Sequence, residues 1–315
     1  MRRVLIVYFS QTGQLRRVAQ SVARPLADAH DIDVHWLELR SRSPYPFPWP
    51  LLKFFDQFPE AVHLQPPELE PLDLPDDARF DLVILAYTVW YLSPSPPITA
   101  FLKSARGCAI LRDTPVVTLI ACRNMWLMAQ ERVKELLHNA GARHIDNIAL
   151  TDDCSAMASF VTTPRWMLTG RTDSVCGLPP PGISQADIAA AARFGRALLV
   201  ALRSGALDGT RPVLQGLKAA TVDSRLIVSE ALGRRSFLVW GALVRWCGPQ
   251  GSLARIAPLL IYTLFLLLMI CTLVPISMVL QVLLRPLFAR QFATWKLAYE
   301  LPSGSEDSRI KEFSQ

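Results

Sequence analysis

The stretch VLIVYFSQTGQLRRVA, residues 4–19, decides how the rest of the chain is read. An apolar run, VLIVYF, gives way to the polar turn SQTG, and a helical pattern begins at Leu15. The first amides of a helix that follows a strand have no partner inside it. Together with the helix dipole they bind anions. Ser10 and Thr12 add hydroxyl donors, Gly13 lets the backbone approach, and Gln11, Gln14 and Leu15 complete the turn. The pattern G-x-x-x-x-G-K-[ST] is absent, which disfavours a nucleoside triphosphate. A monoester phosphate is the expected occupant.

Working outward, further apolar runs stand at VHWLEL (34–39), DLVILAY (81–87), PVVTLIA (115–121) and HIDNIAL (144–150). Helical patterns lie between most of them, over Leu15–Ala27, Pro97–Lys103 and Asn124–Ala140. A last helix opens at Ser184-Gln185-Ala186-Asp187, a capping-box variant, and stops near Gly205. The third and fourth runs are apolar on both faces, as central strands covered by helices are. The expected fold is α/β: a doubly wound five-stranded parallel sheet of order 2-1-3-4-5, with ligands beyond the carboxyl ends of its strands. Two more strand ends carry fitting loops, YTVWYLSPSPP (87–97) and ACRNMW (121–126). Trp90, Tyr91 and Trp126 can stack on a flat heterocycle while the backbone between them binds its edges. Core packing explains any one of these aromatics, and Trp126 best. Three loops of one character at three strand ends favour a ligand.

Two stretches break the rhythm. Residues 44–59, PYPFPWPLLKFFDQFP, hold five prolines and six aromatics, and residues 151–183 form a long connection containing TPRWMLTG and LPPPG. Disordered linkers are poor in aromatics, so these are expected to pack against something. Hydrophobic content is 51% and mean hydropathy is +0.24, an excess concentrated in residues 256–284, which carry no charge. That run is long enough to cross a bilayer. The expected arrangement is one crossing with the part after Pro275 along the interface; a re-entrant segment kinked at Pro275 is the alternative. Residues 1–202 balance 20 basic against 20 acidic side chains, whereas 203–255 hold 8 against 3. The basic excess is therefore a juxtamembrane collar, which suits anionic lipid. Nucleic acid is not expected as a partner, because the folded head is neutral. Within the collar, 224–246 suits a helix lying in the interface with Trp240 and Trp246 at headgroup depth, or one docked on the head. The expected divisions are 1–205, 206–255, 256–284 and a polar tail, 285–315. No signal peptide is expected from MRRVLIVYF, and no metal site from cysteines 108, 122, 154, 176, 247 and 271, which read as free thiols.

LIVYFSQTGQL, FDLVILAYTVWYLSPSPPITAFL and PVVTLIACRNMWLMAQERVKELL together resemble the flavodoxin-like flavoprotein superfamily, which binds FMN. The resemblance implies that Ser10, Gln11, Thr12, Gly13, Gln14 and Leu15 hold the FMN phosphate. It assigns Thr88, Val89, Trp90, Tyr91 and Leu92, with Cys122, Arg123, Asn124 and Trp126, to the isoalloxazine ring. More closely, YFSQTGQL, PFPWPLLKFFDQFPE, LAYTVWYLSPSPPI, CRNMWLMAQE and RWMLTG resemble the dialkylresorcinol condensing-enzyme group, over roughly residues 1–205. That group is regarded as a flavin-dependent aromatase working beside ketosynthase-type enzymes on dialkylresorcinol or aryl-polyene-type lipids. The implied activity is FMN-dependent oxidation of a membrane-associated cyclohexanedione-type ketone to a resorcinol, on the cytoplasmic face of the inner membrane; a homodimer is allowed. Catalytic roles are expected for Arg123, holding a carboxylate or enolate, and for Tyr91, with Tyr87 as an acid–base alternative and His63 and His144 as poorer ones. Electron-carrier flavodoxins are acidic, and this neutral head departs from them. A membrane-anchored FMN-dependent quinone or protein reductase is the second reading. A non-catalytic membrane scaffold is the third.

Overall fold

The computed structural model describes residues 1–314 apart from 76, 153–155, 175, 176, 179 and 210. The cysteines at 154 and 176 lie outside the described residues; Cys108, Cys122, Cys247 and Cys271 are free thiols. The apolar runs form strands β1 (Arg2–Tyr8), β2 (Ile32–Glu38) and β3 (Leu82–Tyr87). A short antiparallel hairpin follows, β4 (Val89–Trp90) with β5 (Ser93–Pro94), and then β6 (Pro115–Cys122) and β7 (Arg143–Thr151). The five long strands pair in parallel in the order β2-β1-β3-β6-β7. Among sheet strands this is 2-1-3-4-5, the flavodoxin-like winding, whose switch point lies between the first and third.

Both faces of the sheet are covered, which is why its inner strands read as continuous apolar runs. Val4 and Ile6 face a core shared with α1 (Gln14–Ala27), α7 (Gln185–Ala190) and α8 (Ala192–Ser204). Leu5 and Val7 face the opposite core, under α3 (Pro96–Lys103), α4 (Ala105–Leu111) and α5 (Leu127–Asn139). At Gly195 of α8 a Cβ would meet the Val22 carbonyl oxygen at 1.9 Å, so only glycine permits this approach to α1. The expected cap at Ser184 is present, its hydroxyl accepting from the Asp187 amide at 3.1 Å, and α8 ends on Gly205 in the left-handed region.

Two helices fall in the stretches that broke the rhythm: α2 (Leu51–Val62) and α6 (Ala156–Thr169). Then come α9 (Ile227–Trp246), a short turn over 253–255, α10 (Ile256–Cys271) and α11 (Leu273–Glu300). Helix α9 docks on the head. Gly241 lies against Val62 and His63 of the α2 end, and Glu230 accepts from the Met128 amide at 2.6 Å, capping α5. Its outer face, with Trp246, stays exposed, whereas Trp240 packs at a tilt on Tyr262 and Phe265 of α10. The chain breaks at Thr272 (φ −116°, ψ −70°), where Pro275, having no N–H, leaves the Cys271 carbonyl without its helical donor. A second kink falls at Phe288.

The expected polar tail is instead part of the head. The Ser303 hydroxyl donates to Asp146 of β7 at 2.7 Å and accepts from the Asn147 amide at 2.7 Å. Asp146 also accepts from the amides of Val213 and Leu214, at 2.8 and 3.1 Å. Beyond it the Ala220 amide donates to the Gly304 carbonyl and the Arg309 amide to Gly216. The buried carboxylate explains what the sequence pattern hid: one short polar residue on the edge strand β7 holds two later segments, 206–222 and 301–314, against the sheet.

Replacing Asp146 by Ala orphans three buried donors. Stability to urea should fall by about 3 kcal/mol or more, and limited proteolysis should remove residues 301–314 first. Glu230 supplies a pH dependence. Burial, only partly offset by the Met128 and Leu127 amides, raises its carboxyl to about 8. Between the ordinary carboxylate range and pH 8 the folded state therefore holds a proton that the unfolded chain has lost, and stability falls as pH rises through that window. The melting temperature should drop by a few degrees more from pH 5 to pH 9 in the wild type than in Glu230→Gln.

Candidate functional site

A cavity of about 290 Å³ opens at the carboxyl ends of β1, β3, β6 and β7. That is the small end of the range for ligand pockets. Its first wall is the turn Ser10–Gly13. Gly13 sits at the N-cap of α1 with φ 79° and has no side chain to cap the helix, whose first turn contains no acid. The Ser10 hydroxyl accepts from the Arg16 amide at 3.4 Å, closing the turn. Gln11 faces away from the helix: its side-chain nitrogen donates to the Pro46 carbonyl at 2.9 Å, and its oxygen accepts from the Trp49 indole at 3.2 Å. One residue of the turn thus holds the proline-rich segment over the site. Gly182 closes the other side at φ 106°; a Cβ there would lie 2.3 Å from the Gln14 side-chain nitrogen, Nε2.

The second wall is the β4–β5 hairpin. Its two turn residues, Tyr91 (φ 51°) and Leu92 (φ 59°), both adopt the left-handed conformation that a two-residue hairpin of this hand needs. Neither is glycine, so the surroundings must hold them there. Tyr91 is held by its hydroxyl, which donates to the Phe54 carbonyl at 2.5 Å, and by ring contacts to Phe54, Phe58 and Phe237. Burial drives this hydroxyl well above its ordinary pKa. Tyr91 therefore builds a wall of the cavity, its hydroxyl protonated and turned to the Phe54 carbonyl. Trp90 meets Phe9, Tyr45 and Trp49 edge to face, with centroids 5.0–6.0 Å apart.

Strand β6 contributes Cys122 and Arg123. Burial, with Glu230 nearby, pushes the Cys122 thiol far up, so it lines the cavity as a neutral group. Arg123 lies 3.4 Å from the Thr162 hydroxyl and 3.9 Å from Asp152. Asp152, at the end of β7, also accepts from the Gly182 amide at 2.9 Å. The cavity therefore holds a cation at the end of one strand and an anion at the end of the next, both mostly shielded from water.

Of the residues expected from the sequence, Ser10, Gln11, Thr12, Gln14, Leu15, Thr88, Val89, Trp90, Tyr91, Cys122 and Arg123 line one cavity. Gly13 shapes the turn from behind. Leu92 turns inward, its side chain against Gly233 of α9, and Asn124 is not among the lining residues. Trp126 is 2% exposed in the α5 core and cannot stack on a ligand. Tyr87 is also buried, donating to Gln130 at 2.6 Å. His144 pairs with Thr118 beneath the sheet, where burial and Lys134 lower it to about 4; His63 sits in the α2–α9 seam against the Leu238 carbonyl. None of these three reaches the cavity.

The sequence did not single out Phe47, Trp49, Phe54, Asp152, Trp166 or Met167 as site residues, yet all line the cavity. The irregular stretches meet over it: the Trp49 amide donates to the Met167 carbonyl at 2.8 Å, and Phe47 packs edge to face on Trp166. Their aromatic content was the available signal. For Asp152 it was position, an acid at the carboxyl end of the fifth sheet strand.

No family model matches the chain, and no curated protein matches it. Among solved structures it is similar to a flavoprotein from Lactobacillus acidophilus NCFM in complex with FMN, at 18% identity over 47% of this chain and 92% of that one, TM-score 0.38. A flavodoxin from the domain Archaea aligns at 9% identity over 64% and 99% of the two chains, TM-score 0.35. Oxidised flavodoxin 1 from Bacillus cereus aligns at 13% identity over 62% and 95%, TM-score 0.33. The hydrogen-bonded strand order stands on its own beside these likenesses: the head has a flavodoxin-like α/β fold with its cavity at the switch-point edge.

Proposed function

We propose that the chain is an FMN-dependent oxidoreductase that aromatises a lipid-like cyclic ketone of the cyclohexanedione type to a resorcinol at a membrane surface. A ketosynthase-type partner would supply the ring, as the resemblance to dialkylresorcinol condensing enzymes implies. The carrying observation is the N-terminus of α1, with Gly13 in the left-handed region, opening into a cavity whose other walls are flat aromatics. That set fits FMN. Residues Ser10–Leu15 would hold its phosphate, and Thr88–Tyr91 with Cys122 and Arg123 would hold the edges of its ring. FMN, when bound, supplies a hydride acceptor. The chain's own part is to orient and shield. Trp49, Trp90 and Trp166 exclude water, which strengthens every charge inside. Arg123 lies where it can stabilise an oxyanion of the substrate, with Asp152 and Thr162 steadying its guanidinium. The apolar helices beside Phe54 would receive an alkyl chain, and the cytoplasmic face is the side on which FMN is available.

A second reading, a membrane-bound quinone reductase, is supported by a series of ring contacts. It runs from Trp90 through Trp49, Phe54, Tyr91 and Phe58 to Tyr262 of α10, with centroids 4.4–6.0 Å apart.

Protein purified in detergent should be yellow and release FMN on denaturation, and the loaded protein should convert the cyclic ketone. Colourless protein that binds no added FMN would end both readings, while rapid nicotinamide-dependent quinone turnover without ketone conversion would favour the second. Nothing lies within 4 Å of a Cβ built on Gly13, so Gly13→Val acts through backbone strain of about 1–2 kcal/mol. It should weaken FMN binding about tenfold by flavin-fluorescence titration. Arg123→Gln should lower kcat for the ketone by about a hundredfold at saturating FMN, with any loss of FMN affinity read separately by the same titration.

A further inference from the structure

We infer that the apolar arm formed by α10 and α11 enters one leaflet and returns, so that the described chain never crosses the bilayer; the inference rests on the membrane reading above. Both roots of the arm are fixed to one head. At the entry root the Arg255 side chain is 3% exposed and pairs with Asp56 at 3.1 Å and Glu60 at 2.7 Å, both on α2. Leu259 and Tyr262 are then buried with Phe58 and Val62. At the exit root Trp295 and Tyr299 pack on the core under α5, and Glu300 accepts from the Val222 amide at 3.1 Å. A straight helix over 256–300 would be roughly 66 Å long. A head of this size has a radius of gyration of only about 16 Å. The arm therefore folds back, at the breaks seen at Thr272 and Phe288.

With both roots on one body, the number of crossings is even. Two crossings need about 20 apolar residues each. Helix α10 has 16, and the uncharged part of α11, from Leu273 to Leu284, has 12. These span about 24 Å and 18 Å, against a hydrocarbon core of about 30 Å. The apolar window of 19 residues, Leu253–Cys271, reaches spanning length only by including Arg255, which the head has already taken. The single crossing expected from the sequence, with Lys296 on the far side, is excluded in this structure. Lys296 lies 3.6 Å from the buried Glu300.

The outward surface fits insertion from one side. Leu260, Ile261, Leu264, Leu267 and Leu268 of α10 are each more than half exposed and recur at helical spacing. Leu232, Val239, Leu243 and Trp246 form a matching stripe on α9. Exposed apolar residues are ordinary singly, but two neighbouring helical stripes mark an interaction surface. Arg235 stands exposed within the α9 stripe and Arg290 is exposed on α11, which selects an anionic lipid surface as the occupant.

The test uses the flavin-loaded full chain diluted from detergent onto preformed sealed vesicles of zwitterionic and anionic lipid. In a background with all six native cysteines replaced by Ser, Gln250→Cys and Ser314→Cys, introduced singly, flank the arm; an impermeant maleimide added outside should label each without permeabilisation. In the unaltered chain Cys271, beside the Thr272 break, should resist the reagent until detergent is added, a readout that stands even where a variant fails to fold. A flank labelled only after permeabilisation, or Cys271 labelled by reagent trapped inside the vesicles, overturns the inference. Protein that remains in the supernatant, as monomer or as dimer, overturns it together with the membrane reading, while the flavin spectrum reports separately on the cofactor.

Discussion

A parallel sheet imposes a polarity on everything attached to it. Each helix that follows a strand begins at the same edge, so unpaired amides and helix dipoles accumulate there, and an anion is the natural complement. Here the first of those helices has glycine at its cap, no acid in its first turn and, among the described residues, only the Ser10 hydroxyl on its amides, at 3.4 Å from that of Arg16. The opposite choice is made at α5, where the buried carboxyl of Glu230 reaches across from α9 to its first amides. One helix N-terminus is thus kept open for a ligand, and the other is used to fasten the C-terminal region to the head.

The sheet was legible because its inner strands are apolar on both faces and its first turn carries polar donors. The α8 ending was legible from Gly205, the only residue type that takes its φ of 74° without strain. Helices α2 and α6 were not, because Pro59 and Pro164 lie inside them and interrupt the patterns used to find helices. Arg123 and the hairpin residues were found by position at strand ends. Trp126 misled for the same reason, since a residue at a strand end can point into the core as readily as toward a ligand. The tail was read only as polar from its composition; among its anchors is the Ser303 hydroxyl, meeting a buried carboxylate 157 positions away. No local pattern announces a pairing of that kind.

The cavity and the apolar arm are joined physically. Helix α2 supplies Phe54 to the cavity wall and Phe58, Asp56 and Glu60 to the root of α10. The segment that Gln11 holds over the site leads directly into it. The cavity wall and the seat of the apolar arm's root are therefore successive turns of one helix, which limits how far either can move without the other.

The segments laid over β7 carry a consequence for biosynthesis. Edge strands with unpaired backbone groups invite association with other chains, and here residues 213–222 and 301–309 cover that edge. The second of these covering segments follows the arm in the chain. During translation the head's last strand therefore remains incompletely covered until the greasy arm has been made. In that interval the uncovered edge and the apolar arm are open to aggregation together.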